Sequence, residues 1–345
     1  MINVGIVGCG SIARQRHAVE YTSNPNVSIQ GFNDFHKERA EEMTKEFGGK
    51  VYLSDDEMFA DPMIDAVSIC AANAFHAELT IKALNSGKHV LCEKPMAISL
   101  KDCHEMVVTA KKNNKHLIIG HNQRLSPTHV KAKQILESGE LGRIISFSST
   151  FGHKGPEMWS IDKSADTWFF KKKSAAFGSL ADLGIHKIDL MRYLINAEVT
   201  KVYADLETLD KRFADGTMIE VDDNSFQILT FDNGVTGTVT TSWTYYGKEC
   251  NTTTIYCEKG IMYLYANPKY SLEIVYKDET KARYQIDRIQ TNTAGGQISS
   301  GVIDLFVNAI ANNKKTVLDG DVALESMKVV FACLESSKEE RSLLI

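Results

Sequence analysis

The sequence has few of the features that mark secreted, membrane-embedded or nucleic-acid-binding proteins. Its seven cysteines are odd in number and none forms a C-x-x-C pair, which argues against a disulfide framework or a zinc knuckle. No apolar run approaches the length of a membrane span, and a net charge of −5 without a long basic run gives no electrostatic footprint for nucleic acid. We therefore predict neither a membrane nor a nucleic acid as partner.

The beginning of the chain also lacks the basic segment and the small-residue cleavage site of a secretory signal. It reads MINVGIVGCG, which indicates a first strand that runs into a glycine turn. With the unpaired cysteines, this start predicts a cytoplasmic protein. The length of 345 residues, 43% of them hydrophobic, is enough for two domains.

Residues 1–124 alternate strand-like and helix-like segments, and several of the strands are apolar throughout, which indicates burial on both faces. Ser99, with Asp102 three residues later, is typical of a helix start. We predict a doubly wound parallel sheet, an α/β Rossmann domain that binds a dinucleotide. The strand-like segments are NVGIVG, VSIQGFND, DAVSICA, HVLCEKP and HLIIGHNQR.

Residues 125–345 have a different texture and predict an α+β domain for substrate binding and oligomerisation. One helix and a long irregular stretch precede a run of extended segments, which predict an open-faced, mostly antiparallel sheet. One helix layer is expected on one face and a second subunit on the other, in a homodimer or homotetramer. The last helix is expected to end in a frayed, charged tail. The extended segments are KVYADLETL, SFQILTF, GVTGTVTTSWTYY, NTTTIYCEK, GIMYLYA, SLEIVYK and ARYQI.

A dinucleotide fingerprint, Gly8-x-Gly10-x-x-Ala13, follows the first strand and opens a helix. The first glycine permits a tight turn, the second lets a pyrophosphate approach the backbone, and the alanine permits close helix packing. The phosphates would lie at the helix N-terminus, which favours anions. We predict cofactor contacts from Gly8, Gly10, Ser11 and Ile12.

Asp34 stands at the end of the second strand, where an acidic side chain accepts hydrogen bonds from the adenosine ribose. A carboxylate there disfavours the 2′-phosphate of NADP, so NAD is the preferred cofactor. NADP stays the alternative, because the neighbouring His36, Lys37 and Arg39 could supply a compensating base, although a solvated helix face is the simpler interpretation of these three.

Two segments carry candidate catalytic groups. Lys94 ends the fifth strand, at the edge of the sheet where open α/β folds place their chemistry. In the helical segment 177–195, Asp182 and His186 begin a polar stripe that continues through Asp189 and Tyr193. The alternatives for Asp182 and His186 are an exposed i,i+4 pair or a metal site. Two ligands without a third make a metal unlikely on chemical grounds, so we predict none.

Over essentially its whole length the chain resembles the glucose-fructose oxidoreductase / inositol dehydrogenase / rhizopine-catabolism (Gfo/Idh/MocA) family. The resemblance implies a Rossmann domain, an open-faced antiparallel sheet domain, and oxidation of a ring hydroxyl of a sugar or cyclitol by hydride transfer to NAD(P). It also implies a catalytic trio of Lys94, Asp182 and His186, with a Lys94–Pro95 bond that is often cis. The matching segments are GIVGCGSIA, Asp34, Asn73-x-x-His76, GKHVLCEKP, Asn122 with Arg124, and DLGIHKIDL.

Further cofactor and substrate contacts are predicted on the same basis. Before Asn73 the family usually has Thr-Pro, whereas this chain has Ala71-Ala72, so one hydrogen bond to the cofactor is expected to be missing. Trp168 could stack on a sugar ring or pack in the core. His153, Trp159 and Tyr245 are candidates for the substrate side. The predicted cofactor-binding residues of this set are Asn73, His76, Glu93, Lys94, Asn122 and Arg124, and the predicted substrate-binding residues are Lys94, Trp168, Asp182 and His186.

The chemistry of hydroxyl oxidation suggests a role for each member of the trio. His186 is the natural base, because imidazole titrates near neutral pH. Lys94 would stabilise alkoxide character at the substrate oxygen. Asp182 would orient His186 or bind a neighbouring hydroxyl.

Two other functions are compatible with the same motifs. One is an NAD-dependent glycosidase, which oxidises a ring carbon transiently and recycles its nicotinamide. The other is a non-catalytic sensor that binds dinucleotide. Retention of the whole trio argues against the sensor, because a sensor needs no base and cation aimed at one carbon.

Overall fold

The architecture is taken from a computed structural model, which describes residues 1–287 and 299–345. The N-terminal half forms a six-stranded parallel sheet in the order β3-β2-β1-β4-β5-β6. The predicted parallel sheet is therefore confirmed. Its strands are β1 (Ile2–Val7), β2 (Val27–Asn33), β3 (Lys50–Val51), β4 (Ala66–Ile69), β5 (His89–Cys92) and β6 (Leu117–Ile119).

Helices connect these strands, and their ends follow the sequence signals. The side chain of Ser99 accepts a hydrogen bond from the backbone N–H of Asp102, as the capping pattern predicts. The first helix differs from expectation, because a π-helical turn over Ala13–Ala18 precedes it. The short β3 and α3 were not expected; a two-residue strand and a six-residue helix are too short to give a periodic pattern. The helices are α1 (Val19–Ser23), α2 (Lys37–Phe47), α3 (Asp55–Ala60), α4 (His76–Asn85) and α5 (Leu100–Lys112).

The C-terminal half forms a nine-stranded sheet in the order β14-β13-β12-β11-β7-β10-β9-β8-β15. All neighbours are antiparallel except β7 and β10, so the mostly antiparallel sheet is confirmed. The strands are β7 (Ile144–Gly152), β8 (Val199–Glu207), β9 (Asn224–Phe231), β10 (Thr236–Ser242), β11 (Cys250–Cys257), β12 (Gly260–Leu264), β13 (Leu272–Tyr276), β14 (Lys281–Tyr284) and β15 (Leu343–Leu344).

Two parts of this sheet correct the sequence predictions. The irregular stretch expected after residue 142 begins instead with β7, which lies in the middle of the sheet. Its sequence, IISFSSTFG, carries three serines, which weakens the apolar alternation of a strand. The frayed tail is wrong as well, because Leu343 and Leu344 pair with β8 at the sheet edge.

Helices cover one face of the large sheet, as expected. Buried side chains of α8 and α10 join those of β8, β9 and β10 in one core. None of the helices in the described ranges combines the length and hydropathy needed to cross a membrane. The helices of this half are α6 (Pro127–Glu137), α7 (Lys172–Ala175), α8 (Ile185–Ile195), α9 (Val302–Asn312) and α10 (Gly320–Glu339).

One C-terminal helix packs on the N-terminal sheet. Phe306 and Val307 of α9 share a core cluster with Val4 and Ile6 of β1, and the N–H of Ile119 in β6 donates to the carbonyl of Leu318. The two halves therefore touch through α9 as well as at the crevice between the two sheets. The division of the chain into domains of residues 1–124 and 125–345 stays a prediction.

Candidate active site

A cleft of about 670 Å³ opens along the carboxyl ends of β1, β2, β4 and β5. The strand order of the parallel sheet reverses between β1 and β4, and open α/β sheets bind ligands at such a switch point. Residues of the segment 159–177 form the opposite wall. The cleft therefore lies between the two halves of the chain, where a dinucleotide is expected.

The glycine turn after β1 has the shape that a pyrophosphate requires. Gly8 has φ +88°, and a Cβ there would lie 2.6 Å from the carbonyl oxygen of Cys70, so a larger residue cannot replace it without a shift. A Cβ on Gly10 would meet nothing within 4 Å, which leaves the backbone open to a ligand. Ser11 and Ile12 line the same cleft. These residues fit a dinucleotide.

Asp34 is fixed at the edge of the cleft by the backbone. Its Oδ2 accepts a hydrogen bond of 2.7 Å from the N–H of Cys9, and its Oδ1 accepts one of 2.8 Å from the N–H of His36. Each carboxylate oxygen can accept a second hydrogen bond, which leaves acceptors for ribose hydroxyls. Arg39 also lines the cleft, but its guanidinium pairs with Asp162 at 2.8 Å.

Asn73 and His76 line the cleft and also hold its walls together. The side-chain amide of Asn73 donates to the carbonyl of Ala175, across the cleft, at 3.0 Å. The ring of buried His76 lies between the carbonyls of Pro95 and Ala71, at 2.7 and 3.0 Å. Burial lowers the pKa of His76.

Lys94 follows β5 and points at the catalytic helix, which consists of the π-helical turn Leu180–Gly184 and the α8 that continues it. Its bond to Pro95 is cis, as the resemblance implied. The Lys94 ammonium donates to Asp182 Oδ1 at 2.9 Å and to the Asp182 carbonyl at 3.0 Å. The indole N–H of Trp243 donates to Asp182 Oδ2 at 3.1 Å. Burial raises the pKa of Asp182, but the Lys94 charge with His153 outweighs it, and the pKa lies below its usual value.

His186 lies one helical turn after Asp182 and is buried beside a second, smaller cavity of about 80 Å³. Lys94 and Asp182 line both this cavity and the dinucleotide cleft, so the two spaces adjoin at the trio. Burial first, and then the Lys94 charge, hold the pKa of His186 well below its usual value. The imidazole is therefore neutral near pH 7, which is the form that accepts a proton.

Burial rules out the exposed i,i+4 pair that the sequence left open for Asp182 and His186. Both are buried, and the oxygens of Asp182 are held by Lys94 and Trp243 and not by His186. The predicted polar stripe does not continue into the site beyond His186, because the buried Asp189 carboxylate binds Arg124 instead. No group of three or more side chains suited to a metal occurs in the ranges 1–287 and 299–345.

Glu93 is joined to His17, which lies in the π-helical turn after the glycine fingerprint. Its Oε1 lies 2.9 Å from His17 Nε2, and its Oε2 accepts from the N–H of Lys94 at 3.2 Å. Burial opposes the charge, but the bond from His17 and the Lys94 charge lower the pKa of Glu93 to about 2. The anion therefore links the helix after the glycine turn to the backbone of Lys94.

Two predicted residues lie in other surroundings than expected. Arg124 lines neither cavity; its Nε and Nη2 donate to Asp189 at 2.7 and 2.8 Å in a buried pair. Trp168 lines the dinucleotide cleft, stacked on Phe169 with ring centroids 3.8 Å apart, and does not line the smaller cavity. Asn122 does line the smaller cavity. The cofactor and substrate roles of these residues stay predictions.

The structure adds residues that the sequence analysis missed. Trp243, Glu249, Arg16 and His17 touch the trio or line its cavity. A weak signal existed for Arg16 and His17, because they lie on the first helical turns after the glycine fingerprint. Trp243 and Glu249 carried none, since they come from strand ends far along the chain. Of the candidates for the substrate side, His153 lines the smaller cavity and Trp159 the cleft.

Comparisons with known proteins identify the family of both halves of the chain. A model of the oxidoreductase family with an NAD-binding Rossmann fold matches residues 2–121, and a model of the GFO/IDH/MocA C-terminal domain matches residues 129–263. The chain is 31% identical over 274 residues to the levoglucosan dehydrogenase of Pseudarthrobacter phenanthrenivorans. The match covers 72% of this chain and 69% of that protein.

Two further relatives belong to the same group. The chain is 28% identical over 243 residues to the myo-inositol 2-dehydrogenase of Thermotoga maritima. The match covers 70% of this chain and 68% of that protein. A levoglucosan dehydrogenase in complex with NADH and levoglucosan has a TM-score of 0.86 at 25% identity, over 100% of this chain and 99% of that chain. The predicted family is confirmed: the chain belongs to the Gfo/Idh/MocA family of NAD-binding oxidoreductases.

Proposed function

We propose that the protein is an NAD-dependent dehydrogenase that oxidises a ring hydroxyl of a sugar or cyclitol. The observation that carries the proposal is the position of Lys94, Asp182 and His186 where the dinucleotide cleft meets a small polar cavity. NAD, when bound, accepts the hydride from the carbon that carries the hydroxyl. Its pyrophosphate would lie on the turn of Gly8 and Gly10.

The protein side chains handle the proton and the developing charge. Neutral His186 accepts the hydroxyl proton, so the C–OH becomes C=O as the hydride leaves the same carbon. The Lys94 ammonium stabilises the negative charge on the oxygen as the proton departs. Asp182 positions Lys94, because two hydrogen bonds from the ammonium end on this residue. In the reductive direction His186 returns the proton.

Preference for NAD over NADP is proposed from Asp34. Both of its oxygens are fixed by backbone N–H groups at the cleft edge, so a 2′-phosphate would face a carboxylate that cannot easily turn away. Arg39 would be the compensating base, but it is paired with Asp162.

The test is reduction of added NAD, and separately of NADP, by the purified protein with inositols, hexoses, pentoses and uronates. We expect NADH formation with at least one compound and its loss in Lys94→Ala. Tight dinucleotide binding without net reduction by any compound would contradict a dehydrogenase. Cleavage of nitrophenyl glycosides in that case would indicate the cofactor-recycling glycosidase.

We also propose a homodimer or homotetramer formed through the uncovered face of the large sheet. Tyr203, Phe226, Ile228 and Tyr256 are exposed there, and the strand register places them on one face. Light scattering after gel filtration should give a dimer or tetramer, and Ile228→Glu should give a monomer. A wild-type monomer would contradict the proposal.

A cytoplasmic location is proposed from the thiols. All seven cysteines are free, and six of them are buried. Such thiols persist in a reducing compartment. No nucleic acid is proposed as a partner, because the net charge is −5.

A further inference from the structure

Glu249 lies at the substrate end of the site, directly before β11. The side chain lines the small cavity together with Lys94, Asp182 and His186. Asn251, two residues later, pairs with Phe151 of β7, and side chains two apart on a strand share a face. Phe151 also lines the cavity, so this face of the sheet is directed towards the catalytic helix.

One oxygen of the Glu249 carboxylate lacks a hydrogen-bond donor. Its Oε1 is buried and has no hydrogen-bond partner within the described part of the chain. Burial raises the pKa of Glu249 to about 7, although the charge of Lys187 and the nearby side-chain amide of Asn251, whose nitrogen forms no hydrogen bond within the described residues, lower it. A buried carboxylate oxygen without a donor is costly, and the cavity beside Glu249 leaves room for a donor from outside the protein.

Lys187 supplies charge near Glu249 but no hydrogen bond to it. This lysine follows His186 directly and is fully buried. Its ammonium donates to the Thr252 carbonyl at 3.4 Å and to Thr253 Oγ1 at 3.3 Å. Lys187 therefore does not donate a hydrogen bond to Glu249 Oε1.

The other carboxylates that line the cavity are already satisfied by the protein. Asp182 is held by Lys94 and Trp243, as described above. Glu93 is joined to His17. Glu20 accepts from the N–H of Ser300 at 2.7 Å and from its hydroxyl at 2.9 Å. Of the carboxylates on the described wall, Glu249 is the one with an oxygen that lacks a donor.

We propose that Glu249 binds a hydrogen-bond donor of the substrate, a hydroxyl or an ammonium group on a ring carbon other than the one oxidised, and so determines substrate specificity. The inference rests on the proposed dehydrogenase function. Lys94 and His186 serve the reacting hydroxyl, and Glu249 recognises a second substituent. A compound that lacks this donor leaves the carboxylate unsatisfied and is rejected.

The test compares Glu249→Gln with a matched control, Glu258→Gln, at the opposite end of β11. Glu258→Gln changes an exposed glutamate just past the other end of β11, where it pairs with Arg143 at 2.7 Å. Initial rates and calorimetric titrations in the presence of NAD use three probes: myo-inositol, D-glucose and D-glucosamine. NADH fluorescence titration and the melting temperature establish that each variant is folded and binds cofactor.

For a probe that the wild type oxidises, we expect Glu249→Gln to raise KM and the dissociation constant by about tenfold or more, the effect of losing one hydrogen bond to a charged group. The change in kcat should be smaller than the change in KM, and NADH affinity should be unchanged. Glu258→Gln should behave as the wild type. A larger loss for D-glucosamine than for D-glucose would identify the donor as an ammonium group, and the reverse would identify a hydroxyl.

Unchanged KM and dissociation constants in Glu249→Gln would overturn the inference and leave the dehydrogenase intact. A wild type that binds NADH but neither binds nor oxidises any of the three probes or the wider panel would contradict the proposed function, and the inference with it. The two failures are therefore distinguishable.

Discussion

At the scale of single residues, burial and neighbouring charges tune the proposed catalytic groups. The Lys94 side chain donates two hydrogen bonds to Asp182, and burial, followed by the Lys94 charge, keeps His186 neutral. The cation and the base therefore support one another in one buried site. This arrangement suits removal of a proton while negative charge develops beside the ammonium.

The pH dependence of turnover should reflect His186. Its pKa lies well below the usual 6.5, so the neutral base persists below pH 6.5 and is lost only as the pH falls further. We expect the acid limb of kcat/KM for oxidation at saturating NAD to have its midpoint below pH 6.5. His186→Ala should lower kcat by about 10²-fold or more while NADH binding is kept. An acid limb above pH 6.5 would assign the base elsewhere.

Cofactor preference should change with Asp34. Asp34→Ala removes the acceptors for the ribose hydroxyls and the like charge that opposes a 2′-phosphate. We expect the dissociation constant of NADH to rise by about tenfold and that of NADPH to rise less or to fall. Fluorescence titration of both dinucleotides measures the ratio, and the melting temperature controls for loss of the backbone contacts of Asp34. An unchanged ratio would remove Asp34 from the cofactor site.

At the scale of elements, the catalytic helix is anchored by buried polar contacts before its first turn and near the middle of α8. Asp222 accepts from the N–H groups of Gly178 and Leu180, at 2.7 and 2.8 Å, just before the helix carries Asp182. Further along, Asp189 is paired with Arg124, which follows β6. These contacts fix where the helix presents its catalytic groups to the crevice.

The pair of Arg124 and Asp189 should matter for stability. Arg124→Met removes the nearest cation from the buried Asp189 carboxylate and leaves only the Arg192 guanidinium, 4.0 Å away, so it should cost about 3 kcal/mol of unfolding free energy. The double variant with Asp189→Asn should recover part of this loss. Denaturant unfolding of both variants measures the coupling. If Arg124→Met instead kept its stability and lost NADH affinity, the cofactor contact predicted from sequence would be supported.

At the scale of the whole molecule, short-range patterns predicted the framework, and long-range contacts decided the site. The glycine turn, Asp34 and the parallel strands carry local signals. The strand β7 did not, because its serines hide the alternation and its stability comes from the strands on either side. The resemblance implied the trio, but the contact of Asp182 with Lys94 joins residues 88 positions apart and has no local signal.

The same limit applies to charges in the core. Lys187 is fully buried although its residue type predicts exposure, and the only sign in the sequence is its helical spacing of four residues from Leu183 and from Met191. Its position depends on how the helix lies over the sheet. Burial lowers the pKa of Lys187 to about 7 from its usual 10.5.

This burial should make the stability of the protein depend on pH. Between pH 7 and 10.5 the unfolded chain binds more protons at Lys187 than the folded chain does, so the unfolding free energy should rise with pH across that window. Lys187→Met should stabilise the protein at pH 7 by roughly 1–4 kcal/mol, with a difference that shrinks as the pH rises. Denaturant unfolding at several pH values measures it, with exposed Lys201→Met as control. A constant difference would contradict the lowered pKa of buried Lys187.

The most direct test of the central claim is to follow the hydride itself. The protein is incubated with NAD and a ring-deuterated sugar or cyclitol that it oxidises, and the isolated NADH is analysed by mass spectrometry. The account predicts one deuterium on the nicotinamide ring of the NADH and none formed by Lys94→Ala. NADH without deuterium, or loss of the label to water with no NADH, would contradict direct hydride transfer at this site.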